Sequence, residues 1–167
     1  MGNLILRRNR PIREHQRIWQ DYYVDKNLDD DWLEMLNSLS FYKMISICEG
    51  HFHDNNRPRG ACPHINLRLK EQYMPLVISK FDQVSQILRQ KLVELFGHEN
   101  TYADIEFNIK IIASRSREEI RRDLVMHIHS RIARTREELD TNTKTWFQKI
   151  IKKVQEFDNF FSNILNG

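Results

Sequence analysis

Both cysteines and three of the seven histidines of this 167-residue chain fall in one stretch, Met44 to Leu69, which reads MISICEGHFHDNNRPRGACPHINLRL. Thiolate sulfur and imidazole nitrogen are the donors zinc prefers, and two of each close a tetrahedron. Cys48-x-x-His51 and Cys62-x-His64 stand on either side of a turn-rich centre, so Cys48, His51, Cys62 and His64 form a candidate zinc set. The spacings are not those of a standard zinc knuckle. His53, His127 and His129 are further donors. Residues two apart on a strand share a side, so His127 and His129 are placed to chelate together. Cys48 beside His51 or His64 also has the makings of a nucleophile and its base. No third group is placed to orient such a pair, no complete catalytic signature occurs, and no reaction is assigned.

The second chemistry is anion binding. Arg57, Arg59, Arg68, Arg115, Arg117, Arg121, Arg122, Arg131, Arg134 and Arg136 gather in and around two predicted hairpins. The planar guanidinium fork suits bidentate contact with phosphate. A small anionic ligand is one reading, and RNA, whose binding would weaken with salt, is the alternative. Phe52 could stack on a base. Glu118, Glu119 and Asp123 dilute the patch.

These side chains need a scaffold, and alternation supplies one. Ile45 and Ile47 point one way from an extended chain, with Met44, Ser46 and Cys48 pointing the other. Ile65, Leu67 and Leu69 alternate with His64, Asn66 and Arg68, which predicts a hairpin with a long loop. Ala103, Ile105, Phe107, Ile109 and Ile111 alternate with Asp104, Glu106, Asn108 and Lys110. Met126, Ile128 and Ile132 then mark a fourth strand, with Ser114–Arg122 as a charged connection between the two. If helices cover the aliphatic side, Ser46, Cys48, His64, Asn66, Arg68, Glu106, Asn108, Lys110, His127, His129 and Arg131 share the other side. That face is the expected ligand site, with Asn66, Arg68, Glu106 and Arg131 as its non-metal contacts; plain solvation of an antiparallel sheet face is the bland alternative.

Four helices are predicted around these strands. Ile18, Trp19, Tyr22 and Tyr23 place a short helix in Glu14–Val24. Asp29, Asp30 and Asp31 precede Trp32, Leu33, Leu36 and Leu39, as acids at a helix start do. Pro75 begins a helix whose stripe runs Val77, Phe81, Val84, Leu88, Leu92 and Leu95 before Gly97. A long helix from Glu137 carries Trp146, Ile150, Val154, Phe157, Phe161 and Leu165, with a second apolar edge at Phe147, Ile151, Phe160 and Ile164. Any exposed part of that wide stripe would be a surface for a homodimer. The expected fold is α+β: a four-stranded, mainly antiparallel sheet from two hairpins, helices on one face, and a long C-terminal helix.

Residues 1–167 make one domain, with 1–12 an irregular basic arm. Net charge is +3, from 26 basic and 23 acidic residues, too mild to demand nucleic acid or a membrane. No run approaches the ~20 apolar residues of a membrane span, and the N-terminal apolar run is too short for a signal-peptide core. A cytoplasmic location is therefore expected, with both cysteines as reduced thiols.

The segment Ser46, Ile47, Cys48, Glu49, Gly50, His51, an extended run with Cys-x-Gly-His at its end, resembles the start of the wybutosine-synthesis tRNA methyltransferase family. There it reads approximately Ser-Ser-Cys-Ser-Gly-Arg. The likeness covers about thirty residues, Asn37 to Leu67, with a loosely similar strand-to-long-helix ending. It implies a connection to tRNA or S-adenosylmethionine. Ile47, Glu49 and His51 depart from the family's pattern, and no catalytic role is carried over.

Overall fold

The computed structural model describes residues 11–51, 61–97, 101–114 and 117–166, with side chains described outside 110–119. Phe52, His53, Arg57, Arg59, Arg115, most of the basic arm, and the side chains of Lys110 and Arg117 lie outside the described part. The segment expected to be the first helix is instead a small antiparallel ribbon, β1 (Gln16–Trp19) and β2 (Tyr22–Asp25). Ile18, Trp19, Tyr22 and Tyr23 have helical spacing but are also strand-favouring types. The turn between them is closed by Gln20 at φ 49°, a conformation rare outside glycine.

Helix α1 (Asp30–Asn37) starts where the three aspartates predict. Asp29 is its N-cap, its side chain accepting from the Asp31 N–H at 3.1 Å. Leu33 and Leu36 are buried beneath it. The chain then forms β3 (Tyr42–Cys48), β4 (His64–Leu69), α2 (Met74–Ser79), α3 (Phe81–Phe96), β5 (Thr101–Ser114), β6 (Arg117–Ser130) and α4 (Arg136–Asn166). The helix expected from Pro75 to Gly97 is thus broken at Lys80, which leaves helical geometry at φ −127°, ψ 37°.

The four long strands lie in the order β3-β4-β6-β5, every neighbour antiparallel. Several features differ from the expected alternation: Ile109, expected on the covered side, is 63% exposed, and Ile132 lies beyond the end of β6 and is 57% exposed. The residues expected as a connection are strand, since β5 and β6 stay paired out to Ser114 opposite Arg117. A bulge falls between Met44 and Ser46. A bulge inserts one unpaired residue and reverses parity beyond it. Met44 is therefore buried in the core at 1% exposure while Ile45 is only half-buried, the reverse of the expected assignment.

Helices α1, α3 and α4 pack with the aliphatic face in one core. Tyr42 meets Phe157 and Phe161 of α4 at ring distances of 5.7 and 5.9 Å, and Phe81 of α3 meets Phe107 at 5.0 Å. Met44, Leu67, Met126 and Ile105 form one cross-strand row beneath them. Most of the wide stripe of α4 is buried, at Trp146, Phe147, Ile150, Ile151, Val154, Phe157 and Phe161, while Phe160 and Ile164 are half-buried and Leu165 is exposed. Asp158 is buried beside them, and its carboxylate accepts from the backbone N–H groups of Ser40, Phe41 and Tyr42 at 2.7–2.9 Å. That contact fastens the last helix to the entry of β3. Among the described residues no helix is long and apolar enough to cross a membrane.

Candidate metal centre and its cleft

The end of β2 reaches the end of β3. Asp25 is 2% exposed. Its Oδ2 accepts from the Glu49 N–H at 2.8 Å, and its Oδ1 lies 3.0 Å from His51 Nε2 and 4.0 Å from His15 Nε2. The two imidazoles lie with centroids 4.1 Å apart and their planes tilted by 41°. His15, Asp25 and His51 each bring a ligand atom within 4.8 Å of the others, and among the described residues this is the one His/Cys/Asp/Glu group that does so.

Gly50 permits the approach. It sits at φ +87°, and a Cβ there would stand 2.8 Å from the Cys62 carbonyl carbon. Any other residue would be strained and would push the loop off Cys62. The Gly50 N–H also donates to Cys48 Sγ at 3.3 Å. Cys48 hydrogen-bonds Asp25 in turn, and burial, reinforced by that carboxylate, pushes its thiol up to about 12. Cys48 is thus a protonated neighbour of the carboxylate rather than a ready thiolate. Both cysteines are free thiols.

His15 and His51 line one wall of a cleft of about 990 Å³, with Asp25 buried behind them. Arg13, Glu14 and His15 lead into β1, Lys26, Asn27 and Asp29 follow β2, and Glu49, Gly50 and His51 leave β3. The first turns of α4 form the facing wall with Arg136, Leu139, Asp140, Thr143 and Lys144. Burial, then the charges of Asp25 and Asp140, raise the Glu49 carboxyl above its ordinary range.

Of the residues expected from the sequence, only His51 enters this group. Cys48 and His64 are cross-strand partners, as are His64 and His129. Burial lowers His64 below the usual imidazole range, and its ring hydrogen-bonds the Cys62 backbone. His127 and His129 do share the open face, but each is engaged locally. His127 Nδ1 is 2.9 Å from Asn66 Oδ1 and its Nε2 is 3.0 Å from Glu106 Oε2. Asn66 also donates to Ser46 Oγ at 2.9 Å, so Ser46, Asn66, His127 and Glu106 form one network across the sheet. His129 packs against the Tyr102 ring in a tilted arrangement at 4.8 Å. Arg68 faces buried Asp123 at 3.6 Å, with Arg121 on the other oxygen at 3.2 Å. Arg131 is exposed and lines a separate recess of about 310 Å³.

A helix over Glu14–Val24, as the spacing predicts, would hold His15 apart from Asp25, which follows it. The signal available was the pair of strand-favouring tripeptides Arg17-Ile18-Trp19 and Tyr22-Tyr23-Val24 around Gln20-Asp21, a hairpin pattern that brings its two ends, and so residues 15 and 25, together. No family model, no curated protein and no solved structure matches this chain.

Proposed function

We propose that this protein binds a divalent transition metal, zinc by its donor set, through His15, Asp25 and His51, and presents it to the cleft. Two imidazoles and one carboxylate are a donor combination zinc takes at catalytic sites, where three protein ligands leave the fourth position for water or substrate. Ligands about 2.0–2.1 Å from a tetrahedral ion stand roughly 3.4 Å apart, and the 3.0 and 4.0 Å separations bracket that figure. Asp25 Oδ2 is held by the Glu49 N–H, the kind of outer contact that orients a ligating carboxylate.

One observation carries the reading: around the buried Asp25 carboxylate, His15 and His51 each bring a ring nitrogen so that all three ligand atoms lie within 4.8 Å of one another. The test is elemental analysis of protein purified without a histidine tag. About one equivalent of metal is expected, falling in the His51→Ala variant; less than about one-tenth of an equivalent, with none taken up on dialysis against zinc, rejects a strongly held ion.

A further inference from the structure

The outer edge of β5 can take a further strand, and we infer that this strand is β5 of a second copy of the chain. The inference is independent of the metal reading. β5 ends the sheet order, so one side of its 14 residues has no neighbouring strand. It holds no proline, and its register with β6 runs without a bulge from Thr101 to Ser114. Natural sheets blunt long edges with such devices, because a row of unpaired N–H and C=O groups is a template for another chain. Here the protection is local. The Ile105 N–H donates to Asp104 Oδ1 at 2.7 Å, and the Ile105 C=O accepts from Arg89 Nη2 at 3.1 Å. Those groups face away from β6, and outward groups recur at every second residue of an antiparallel strand. Phe107 and Ile109 therefore present theirs along the same edge, and among the described residues no side chain caps them as Asp104 and Arg89 cap Ile105. β4 pairs with β6 only over Val125–His129, so from Phe107 outward the β5–β6 ribbon has no third strand on its other side either. Two strands alone are marginally stable.

The residues along the edge select the partner. Ile109 shares its parity with Ile105 and Phe107, on the face that carries the core, yet it is 63% exposed. Helix cover ends at Phe107, whose ring meets Phe81 of α3 at 5.0 Å. A two-fold axis through Asn108, perpendicular to the sheet, sets β5 antiparallel to itself. Phe107 then stands opposite Ile109 of the second copy, and Ile109 opposite Phe107. The uncapped residues of each copy exchange backbone hydrogen bonds, and each exposed isoleucine gains an aromatic cross-strand neighbour. On the other face the same register sets Glu106 opposite Lys110, once in each direction. Opposite charges across strands stabilise, whereas like charges directly opposed do the reverse. Other axes fit worse. At Glu106 that acid meets itself, at Ile105 Asp104 meets Glu106, at Lys110 the lysine meets itself, and at Phe107 the pairing needs the capped groups of Ile105. A strand that matches itself in both charge and apolar pattern fits the isologous contact of a two-fold dimer, where every pair occurs twice. The contact is short, which puts it at the small end of protein interfaces, where association is weak.

The experiment is sedimentation velocity of the full chain from about 5 to about 200 μM, the range in which a small interface associates. The parent should move from monomer toward dimer as concentration rises. Ile109→Lys and Glu106→Lys should each weaken self-association about tenfold or more, since the two-fold removes every cross-strand contact twice. Their melting temperatures show that the fold is kept. The double variant Glu106→Lys/Lys110→Glu restores opposite charges across the axis and should recover dimerisation, which damage to the fold would not allow. Leu165→Glu, at the exposed end of α4, should associate like the parent. A monomer throughout the range overturns the proposal and leaves the edge to a strand of a different protein. So does association that Ile109→Lys leaves intact, that the double variant fails to recover, or that Leu165→Glu abolishes.

Discussion

The Asp25 carboxylate accepts the Glu49 backbone N–H through Oδ2 at 2.8 Å, which leaves Oδ1 turned toward His51. That bond links the last residue of β2 to the residue just after β3, and so sets a small N-terminal ribbon against the edge of the main sheet. It makes one buried side chain both a structural tie and the central residue of the candidate site.

The two roles separate by substitution. Asp25→Asn keeps an oxygen for the Glu49 N–H but removes the charge between two imidazoles. It should remain folded and lose metal affinity by about a hundredfold or more, since disturbing even an outer contact of a ligand costs up to that much. Asp25→Ala leaves the Glu49 N–H without its acceptor and should cost a further ~1–3 kcal/mol in urea denaturation. Equal metal affinity in Asp25→Asn and the parent would remove Asp25 from the ligand set.

Asp158 offers a control far from the cleft. It accepts three backbone N–H groups and is 2% exposed. Hydrogen bonds to a charged group contribute about 1.5–3 kcal/mol each, and an orphaned buried donor costs on a similar scale. Asp158→Ala should therefore destabilise by about 3 kcal/mol or more in equilibrium denaturation, with metal content per folded molecule unchanged. A loss under about 1 kcal/mol would mean the clamp contributes little to holding α4 on β3.

Much of this fold was legible in the residues. The strict alternation of Ile65, Leu67 and Leu69, of Ile105 and Phe107, and of Met126 and Ile128 placed three strands and both sheet faces, because a period of two leaves one consistent assignment. The stripe from Trp146 to Phe161 placed the long helix. The bulge at Met44/Ser46 was not legible: a single inserted residue leaves Ile45 and Ile47 looking like neighbours on one side. The site was less legible still. The proposed donors are residues 15, 25 and 51, and only the last belongs to the Cys/His-rich stretch. Type and local spacing drew attention to Cys48, Cys62 and His64, whereas a two-stranded ribbon without a glycine turn brought in His15 and Asp25.

The buried thiol gives a pH signature. Burial, then the Asp25 carboxylate, raises Cys48 from 9.0 to about 12. Below pH 9 the thiol is protonated in both folded and unfolded chains and has no effect. Between 9 and 12 the unfolded chain ionises while the folded chain keeps its proton, so this group's contribution to stability is lost as pH rises. Tyr42, also raised by burial and by Asp158, adds to the loss above pH 10. The difference between parent and Cys48→Ser isolates the first part: the variant's midpoint should fall less steeply between pH 9 and 12. Parallel pH profiles would contradict the buried, protonated thiol.

Cobalt(II) absorption of the metal-loaded protein tests the centre most directly, because it reports both geometry and donor type. Ligation by His15, Asp25 and His51 predicts visible bands of a four- or five-coordinate ion that vanish in His15→Ala and His51→Ala, persist in a Cys48→Ser/Cys62→Ser variant, and come without sulfur-to-cobalt charge transfer. A strong thiolate charge-transfer band, or a spectrum unchanged by loss of either imidazole, would place the ion elsewhere and contradict the account.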